Sequence, residues 1–211
     1  MRLRIDLHVH TVKSGDSYIT LEDAIRRCRE DGLDGFAVTD HDTMTGIPDR
    51  IENESGLIVI PGTEITSSRV HIIAFDIDEE IPKDQSVSEI VDGIHDQGGI
   101  AIIAHPYSLF RTWVNPREIK EASFDCVEVA NAYQFPYGWM LAKNTDLAER
   151  LGLPVTGGSD AHIPRTIGRA LTILEAETRD AEGALGALRE GRTEATGSGI
   201  TLSERLKLVR D

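Results

Sequence analysis

The sequence has few cysteines and few aromatic residues, and it lacks any long apolar run. Its two cysteines, Cys28 and Cys126, lie far apart and form no Cys-x-x-Cys pair. We therefore expect two buried thiols, and a single disulfide between them is the alternative. An aromatic share of 5% predicts a core of Ile, Val, Leu and Ala. No stretch approaches the roughly 20 apolar residues of a membrane span, and no signal-peptide pattern is seen. These absences predict a cytoplasmic protein.

Basic residues are also scarce, since 22 lysines and arginines face 36 aspartates and glutamates and the net charge is −14. A surface of this sign repels polyanions and lacks the basic stripe by which proteins hold long nucleic acids. It does not exclude a small phosphorylated substrate, because metal ions can reverse the electrostatic field inside a pocket. We expect such a small substrate as partner, with no long nucleic acid and no membrane. No pattern in the sequence encodes the oligomeric state.

Residues 1–211 are expected to form a single α/β domain, because short apolar runs alternate with segments of helical period. Only about nine residues connect the third run to the fourth, too few for a crossover helix. The segment Glu64–Val70 therefore predicts a hairpin, which would give a single antiparallel step in a sheet expected to be a barrel or strongly curled. The runs are Leu3–Val9, Gly35–Val38, Leu57–Ile60, Val70–Phe75, Ile100–Ala104, Cys126–Val129, Pro154–Thr156 and Ala170–Leu174, and the helical segments are Thr20–Asp31, Ser86–Gln97, Pro116–Ala122, Gly138–Leu151 and Asp180–Glu190.

Six of the seven histidines stand at the edge of an apolar run. They are His8, His10, His41, His71, His105 and His162, and the carboxylates Asp16, Asp40, Glu64 and Asp160 accompany them. In barrels with parallel strands, catalytic groups gather at the carboxyl ends of the strands. His95 differs, because it falls in the last turn of a helical segment, where a cation suits the helix dipole. We exclude His95 from the site.

The spacing of His8 and His10 suits metal binding, because residues two apart in a strand project from the same face. Neutral imidazole and carboxylate are the usual ligands of Zn²⁺, Mn²⁺ and Fe²⁺. A single His-x-His is weak on its own, and His105 before proline or Asp160-Ala-His162 in a loop also has ordinary structural interpretations. Their coincidence at strand ends favours a metal site.

The motifs together resemble the PHP (polymerase and histidinol phosphatase) family. They are Asp6-Leu-His-Val-His-Thr, Thr39-Asp-His-Asp, Pro61-Gly-Thr-Glu-Ile, Val70-His, Ala104-His-Pro and Gly158-Ser-Asp-Ala-His, and the order is specific. The segments Ile94-His-Asp-Gln-Gly-Gly and Glu128-Val-Ala-Asn are similar to those of the short stand-alone phosphoesterases in this family. The resemblance implies a distorted seven-stranded α/β barrel with three divalent metal ions. Mn²⁺ is the preferred ion, and Zn²⁺ or Fe²⁺ are the alternatives.

The resemblance also implies a ligand for each position of such a site. The first ion would take His8, His10, Glu64 and Asp160; the second Glu64, His71 and His105; and the third Asp16, His41 and His162. Many relatives have histidine where this chain has Asp16, and an oxygen ligand there favours a hard ion such as Mn²⁺. Glu64, Asp160 and His162 are expected to take part in catalysis. Asp6 and Asp40 are expected to support the ligands.

The implied activity is metal-dependent hydrolysis of a phosphate ester. Three divalent ions against three carboxylates leave the pocket with a charge of about +3, which suits a phosphate dianion. Nucleotides such as a nucleoside 3′,5′-bisphosphate or the end of a short oligonucleotide are the expected substrates, and histidinol phosphate is the alternative. A metal-dependent amidohydrolase is a rival, although such barrels commonly use a strand lysine where this chain has Glu64. A non-catalytic scaffold is a second rival.

Residues that contact the rest of the substrate are harder to identify from the sequence. Arg111, Asn131 and Arg165 follow strand ends and are candidate hydrogen-bond donors to a substrate phosphate. Arg111 would clamp a second phosphate, while Trp113 or Tyr107 would stack on a base. An ordinary surface loop explains the segment 109–114 equally well, so both interpretations stay open.

Overall fold

The computed structural model describes residues 1–44, 56–67, 70–108, 112–201 and 204–205. These residues form nine strands and five α-helices. The strands are β1 (Arg2–Val9), β2 (Gly35–His41), β3 (Ile58–Ser67), β4 (Val70–Phe75), β5 (Ile100–Ala104), β6 (Cys126–Asn131), β7 (Val155–Gly158), β8 (Ala170–Glu175) and β9 (Thr193–Gly197). The helices are α1 (Leu21–Asp31), α2 (Val87–Asp96), α3 (Pro116–Glu121), α4 (Tyr137–Leu151) and α5 (Ala181–Arg189).

All nine strands belong to one mixed sheet in the order β7-β6-β5-β4-β3-β2-β1-β8-β9. Strand β4 pairs antiparallel with β3, which confirms the predicted hairpin, although its turn at 68–69 lies outside the described residues. The expected count of seven strands is wrong, and so is the expectation of a single antiparallel step. Three further pairs are antiparallel: β4 with β5, β1 with β8, and β8 with β9. The additional strand β9 lies at an edge and is largely exposed, so it carries no apolar run.

The sheet closes almost completely into a barrel where the end of β7 meets β1. The first residues of β1 pair with β8, whereas the residues at its carboxyl end exchange backbone hydrogen bonds with the residues that follow β7. Asp160 N–H donates to the carbonyl of His8 at 2.8 Å, and His10 N–H donates to the carbonyl of Ala161 at 3.0 Å. This closure brings the opening motif of the chain against a motif about 150 residues later, near the carboxyl ends of β1 and β7.

The interior of the barrel is an apolar cluster drawn from seven strands and closed by helix α5. Its members include Leu3, Ile5, Leu7, Ala37, Ile58, Ile60, Ile73, Phe75, Ile100, Ile102, Cys126 and Leu174, with Ala184, Leu185 and Leu188 from α5. Helices α2, α3 and α4 cover the outside of β4–β6, and α1 covers β1–β3. The polar site lies among inward-facing residues further along the same strands.

The helix ends follow the local chemistry of the sequence. Thr20 caps α1 in a reciprocal capping box with Asp23, as its spacing predicts. Gly32 and Gly152 end α1 and α4 in the left-handed conformation. Both cysteines are buried and free, so no disulfide joins them. Among the described residues, no helix is both long enough and apolar enough to cross a bilayer.

Candidate metal centre

Strand alternation turns three of the predicted ligands toward the barrel interior. Ala37, Ile60 and Ile73 belong to the interior cluster. His41, Glu64 and His71 stand an even number of positions away along the same strands, so they share the inward face. The register pairs His41 directly with Glu64, and Glu64 with Ile73. Neighbouring strands therefore bring these side chains together without a loop.

The first strand reaches the site through an irregularity. Leu7 belongs to the interior cluster, yet the next residue, His8, also contacts interior groups. Two successive residues of a regular strand point to opposite faces. The pairing of β1 with β2 shifts register between Asp6 and Val9, and such a bulge re-aims side chains. His8 and His10 then lie with their Nε2 atoms 3.1 Å apart.

Glu64 is fully buried, and its two oxygens face different histidines. Oε1 lies 3.0 Å from His71 Nδ1 and 2.9 Å from His105 Nε2. Oε2 lies 3.4 Å from His8 Nε2, 3.3 Å from His10 Nε2 and 3.0 Å from His41 Nδ1. The carboxylate thus stands between two sets of imidazoles, which is the arrangement that a carboxylate bridging two ions requires.

Asp160 is the second buried carboxylate of the cluster. Its Oδ1 lies 3.3 Å from His10 Nε2 and 3.6 Å from His8 Nε2. Its Oδ2 lies 4.0 Å from His105 Nε2. The backbone of Asp160 is left-handed, with φ 53°, and its N–H is held by the carbonyl of His8. A non-glycine residue in this conformation is strained and is typical of functional sites.

The remaining predicted ligands lie at the solvent side of the cluster. Asp16 Oδ2 lies 3.1 Å from His162 Nε2 and 3.5 Å from His41 Nε2. The Asp16 side chain is 51% exposed, against 11% for His162. A metal ion at this group would therefore have open access to water and substrate.

All nine predicted ligands come together. They form four groups, and within each group the ligand atoms all lie within 4.8 Å of one another. The groups are His10, Asp16, His41 and His162; His8, His105 and Asp160; His8, His10 and Glu64; and His41, Glu64 and His71. These groups include every predicted ligand and no other described residue. The assignment of particular ions to them stays a prediction.

The carboxylates and imidazoles of the cluster shift one another's pKa values. Burial alone raises the pKa of Glu64, but the surrounding histidines, His8 foremost, hold this pKa well below its usual range. Burial lowers the pKa of His8, but Glu128 and Glu64 raise this pKa well above its usual range. The carboxylates thus favour the protonated form of His8, and the imidazoles favour the charged form of Glu64. Divalent ions would replace such protons, because metal ligands must be deprotonated.

The donor set fits divalent ions. Glu64 Oε2 and His41 Nδ1 are buried and, although 3.0 Å apart, have no hydrogen-bond partner of acceptable geometry among the described residues. Several ring nitrogens converge on a single carboxylate oxygen in directions that hydrogen bonding does not use. A cation between them would satisfy these atoms, and imidazole with carboxylate suits Mn²⁺, Zn²⁺ or Fe²⁺.

Glu128 contacts two predicted ligands, His8 and His105, although the sequence analysis quoted it only within the segment Glu128-Val-Ala-Asn and gave it no role in the site. It is 1% exposed. Its Oε1 lies 3.0 Å from His8 Nδ1, and its Oε2 accepts from the backbone N–H of His105 at 2.8 Å. A carboxylate behind a metal-binding imidazole fixes the tautomer and orientation of the ring. Its signal in the sequence is a lone carboxylate in the otherwise uncharged strand β6.

Asn131, which was predicted to donate a hydrogen bond to a substrate phosphate, lies behind the predicted metal ligands. It is fully buried, and its Nδ2 donates to Glu128 Oε2 at 3.0 Å and to Asp160 Oδ2 at 3.4 Å. Its Oδ1 accepts from the N–H of Tyr133. These contacts favour a role in positioning the two carboxylates over direct contact with substrate.

Asp6 and Asp40 support the site through the backbone. Asp6 accepts from the N–H groups of Ser159 and Gly168, each at 2.8 Å. Burial raises the pKa of Asp6 to about 6, against these hydrogen bonds. Asp40 accepts from both the N–H and the hydroxyl of Thr11. The two carboxylates fix the loops that follow β7 and β1.

Two hydroxyl residues that the sequence analysis missed also order the ligands. Ser14 Oγ lies 3.0 Å from His10 Nδ1 and accepts from the N–H of His41. Thr112 Oγ1 donates to the carbonyl of His105 at 2.7 Å. This bond helps to hold His105 at φ 28°, a left-handed conformation that turns its ring inward just after β5.

Of the other predicted substrate residues, Arg165 is described and Arg111 is not. Arg165 donates to the carbonyl of Glu204. Arg111 falls in the segment 109–111, which lies outside the described residues. His95 pairs with Asp125 at 3.0 Å on the outer surface, consistent with its exclusion from the site.

Known proteins share sequence and fold with this chain. An uncharacterized protein of Methanocaldococcus jannaschii is 35% identical over 143 residues, which are 62% of this chain and 83% of that protein. A probable phosphatase of Serratia proteamaculans is 30% identical over 129 residues, 48% of this chain and 53% of that protein. The 5′-3′ exoribonuclease Rnm of Salmonella typhimurium is 40% identical over 81 residues, 35% of this chain and 27% of that protein.

Solved structures share the fold at low sequence identity. A two-domain protein of Bacteroides vulgatus containing a predicted PHP-like metal-dependent phosphoesterase has a TM-score of 0.73, 21% identity and coverage of 99% of this chain and 69% of that chain. A lesion-specific endonuclease of Pyrococcus furiosus has a TM-score of 0.67, 16% identity and coverage of 99% and 66%. Residues 6–134 match the PHP domain, and residues 142–193 match a PHP-associated family. Because the first match covers more than half of the chain, the protein belongs to the PHP family.

Proposed function

We propose that this protein is a metal-dependent phosphoesterase that acts on a small nucleotide, such as a nucleoside 3′,5′-bisphosphate or the end of a short oligonucleotide. The observation that carries the proposal is Glu64, whose two oxygens face separate sets of histidines inside the barrel. A buried carboxylate in this position suits a cluster of ions, and clusters of divalent ions are typical of phosphoester hydrolysis.

Different residues of the chain would have different roles in such a site. Bound divalent ions would polarise the phosphoryl group and lower the pKa of water. Glu64 and Asp160 hold negative charge among the imidazoles, and Glu128 fixes the ring of His8 from behind. His162 and Asp16 lie at the open side. They are therefore placed where an entering phosphate would first meet the cluster.

A nucleotide substrate is supported by chemistry and by relatives. The Salmonella relative is named an exoribonuclease, and the Pyrococcus structural neighbour is named an endonuclease. The net charge of −14 disfavours long polyanions, so a small nucleotide fits better than a duplex. The Serratia relative, named a probable phosphatase, supports the broader class of phosphate monoesters.

Activity after metal removal tests the proposal. The protein is treated with EDTA, dialysed and assayed with p-nitrophenyl phosphate, adenosine 3′,5′-bisphosphate, histidinol phosphate and an amide substrate. We expect activity on phosphoesters to disappear on chelation and to return best with Mn²⁺. Full turnover by chelated protein, or hydrolysis of the amide alone, would contradict the proposal. Recovery with Zn²⁺ but not Mn²⁺ would correct the metal only.

The same assay separates the two substrate classes. Release of phosphate is compared as kcat/KM for adenosine 3′,5′-bisphosphate, AMP and histidinol phosphate with the Mn²⁺-loaded enzyme. We expect the bisphosphate to be preferred, because the cluster can engage only the phosphate being cleaved and further affinity must come from the rest of the substrate. A tenfold preference for histidinol phosphate would refute the nucleotide assignment.

A further inference from the structure

Both tryptophans of the protein are exposed, and both flank the same lysine. The side chains of Trp113 and Trp139 are 51% and 47% exposed. The ammonium of Lys143 lies 4.6 Å from the ring centre of Trp113, 5.4 Å from that of Trp139 and 4.9 Å from that of Tyr107. We call Tyr107, Trp113, Trp139 and Lys143 the aromatic–lysine cluster.

The cluster is tied to the metal centre by the loop after β5. Tyr107 comes two residues after His105, and it forms a β-bridge with Trp113. Thr112, which precedes Trp113, binds the carbonyl of His105. The loop that holds His105 in its left-handed conformation therefore also presents the two rings.

The base of the cluster is built from buried polar groups. Asn144 is fully buried, and its Oδ1 accepts from the N–H of Tyr107 at 3.2 Å. Gln134 is 4% exposed and donates to the carbonyl of Tyr107 at 2.5 Å. Asn144 Nδ2 also donates to Gln134 Oε1 at 2.8 Å. Helix α4, which carries Trp139, Lys143 and Asn144, thus fixes the position of the loop.

Exposed apolar side chains concentrate at this face of the protein. Within the described part of the chain, the large exposed hydrophobic residues apart from Met1 are Val12, Tyr18, Trp113, Phe135 and Trp139. All five lie in the segments that follow β1, β5 and β6, the strands that carry His8, His105 and Glu128. Exposed aromatic rings beside a site are typical of ligand binding.

We propose that the aromatic–lysine cluster binds the part of the substrate that is not cleaved, namely the nucleobase and a second phosphate of a nucleotide. This inference rests on the proposed function and specifies the substrate of the same site. The rings offer faces on which any base can stack. Lys143 makes no ion pair within the described residues, so its charge stays available to a phosphate.

Lys143 is a better candidate than Arg165 for binding a second phosphate. Arg165 donates to the carbonyl of Glu204. Among the described residues, the Lys143 ammonium contacts ring faces, which leave its N–H groups able to bind oxygen. A nucleotide with its scissile phosphate at the metal centre would pass the loop residue His105 to reach the rings. One substrate then joins the two sites.

The two tryptophans supply a direct binding signal. The Mn²⁺-loaded protein is mixed in a stopped-flow instrument with adenosine 3′,5′-bisphosphate, ribose 5-phosphate or inorganic phosphate, and tryptophan fluorescence is followed before turnover. We expect a saturable change with the bisphosphate and none with the other two. Trp113→Phe and Trp139→Phe then identify the ring that reports the base, since each variant keeps a stacking surface.

The lysine is tested with a matched control. Lys143→Met keeps the length of the side chain but removes its charge, and Lys120→Met does the same at an exposed lysine on α3. We expect Lys143→Met to weaken binding of the bisphosphate about tenfold and to lower the ratio of kcat/KM for the bisphosphate to that for ribose 5-phosphate by a similar factor. Lys120→Met should match the wild type.

Each outcome separates the subsite from the proposed function. Hydrolysis of nucleotides without a fluorescence change, or equal behaviour of the two lysine variants, would overturn the subsite and leave the phosphoesterase assignment intact. A fluorescence change with ribose 5-phosphate equal to that with the bisphosphate would overturn base recognition. Saturable binding of the bisphosphate without hydrolysis of any phosphoester would support the subsite and overturn the proposed function.

Discussion

Glu64 and Asp16 are both predicted ligands, yet their surroundings differ sharply. Glu64 is fully buried and lies between five imidazoles, whereas the Asp16 side chain is half exposed and faces two. Neutralising Glu64 removes charge from two ligand sets at once and leaves their ions less screened from each other. Loss of Asp16 touches one set only, and excess metal can compensate for it by mass action.

We expect Glu64→Gln to reduce kcat far more than Asp16→Ala when both are assayed in millimolar Mn²⁺. Bound metal per protein, measured after gel filtration, should fall by more than one ion in Glu64→Gln and by at most one in Asp16→Ala. An inactive Asp16→Ala beside a near-normal Glu64→Gln would show that the ligands are allocated wrongly.

Glu128 should act through the histidines it holds. Its two oxygens contact His8 Nδ1, the N–H of His105 and the amide of Asn131. Glu128→Gln places an N–H₂ group where an acceptor is needed, so the rings lose their orientation. We expect metal affinity to fall by about 10- to 100-fold, the usual cost of losing such a partner. Isothermal titration with Mn²⁺ measures this change.

A matched control for Glu128→Gln is Asp146→Asn, which neutralises an exposed carboxylate on α4 paired with Arg150. It should bind Mn²⁺ like the wild type. A weaker metal affinity in Glu128→Gln together with an unchanged thermal midpoint would identify an effect on the site. Wild-type affinity would remove Glu128 from any role in positioning the histidines.

The sequence identified residues whose type is unusual beside an apolar run, and it missed several residues that support the ligands from behind. His8, His41 and His105 stood out because histidine at the edge of an apolar run is uncommon. Glu128 sits in the middle of β6, where its signal competes with the apolar residues around it. Ser14 and Thr112 are ordinary loop residues whose contacts depend on the closed barrel. Such contacts need tertiary structure to be seen.

At the scale of strands, the site depends on the close approach of β7 to β1. A Cβ atom on Gly158 would lie 2.3 Å from His8 Cβ and 2.9 Å from Glu128 Oε1. No side chain fits there without moving His8. We expect Gly158→Ala to displace the end of β7, with a large loss of bound Mn²⁺ and of kcat and a lower thermal midpoint.

Gly138→Ala is the matched control, because a Cβ atom there would meet nothing within 4 Å. Gly138 lies in α4, where alanine favours the helix. This variant should bind metal as the wild type does and be equally or more stable. If Gly158→Ala also bound metal and unfolded like the wild type, a Cβ atom would fit at the end of β7, contrary to the close packing against His8.

The strands were predictable wherever burial demanded apolar residues, and β1 to β8 each overlap a predicted run. The exception is β9, Thr193–Gly197, whose edge position lets it carry polar residues. The direction of the strands was less predictable, because the connections before β5 and β8 are long enough for either sense. The bulge in β1 left no pattern in the sequence, although it brings His8 and His10 inward.

At the scale of the whole molecule, a strongly acidic protein encloses a pocket that metal ions would make positive. The net charge of −14 acts on any substrate that extends beyond the pocket, whereas the ions act on the phosphate inside it. The two effects have different ranges, because exposed charges are screened over about 10 Å at 0.1 M salt. Substrate length and salt concentration therefore separate them.

We expect kcat/KM to fall as an oligonucleotide substrate lengthens from two to about twenty nucleotides, because each added phosphate meets a repelling surface. Raising KCl from about 50 mM to about 300 mM should reduce the difference in kcat/KM between short and long substrates, since salt screens that repulsion. Values are normalised to p-nitrophenyl phosphate at each salt concentration, which corrects for effects of salt on the metal centre. An enzyme with a basic track would behave in the opposite way, losing its long substrates first as salt rises. That result here would contradict the repulsion of long substrates by the acidic surface.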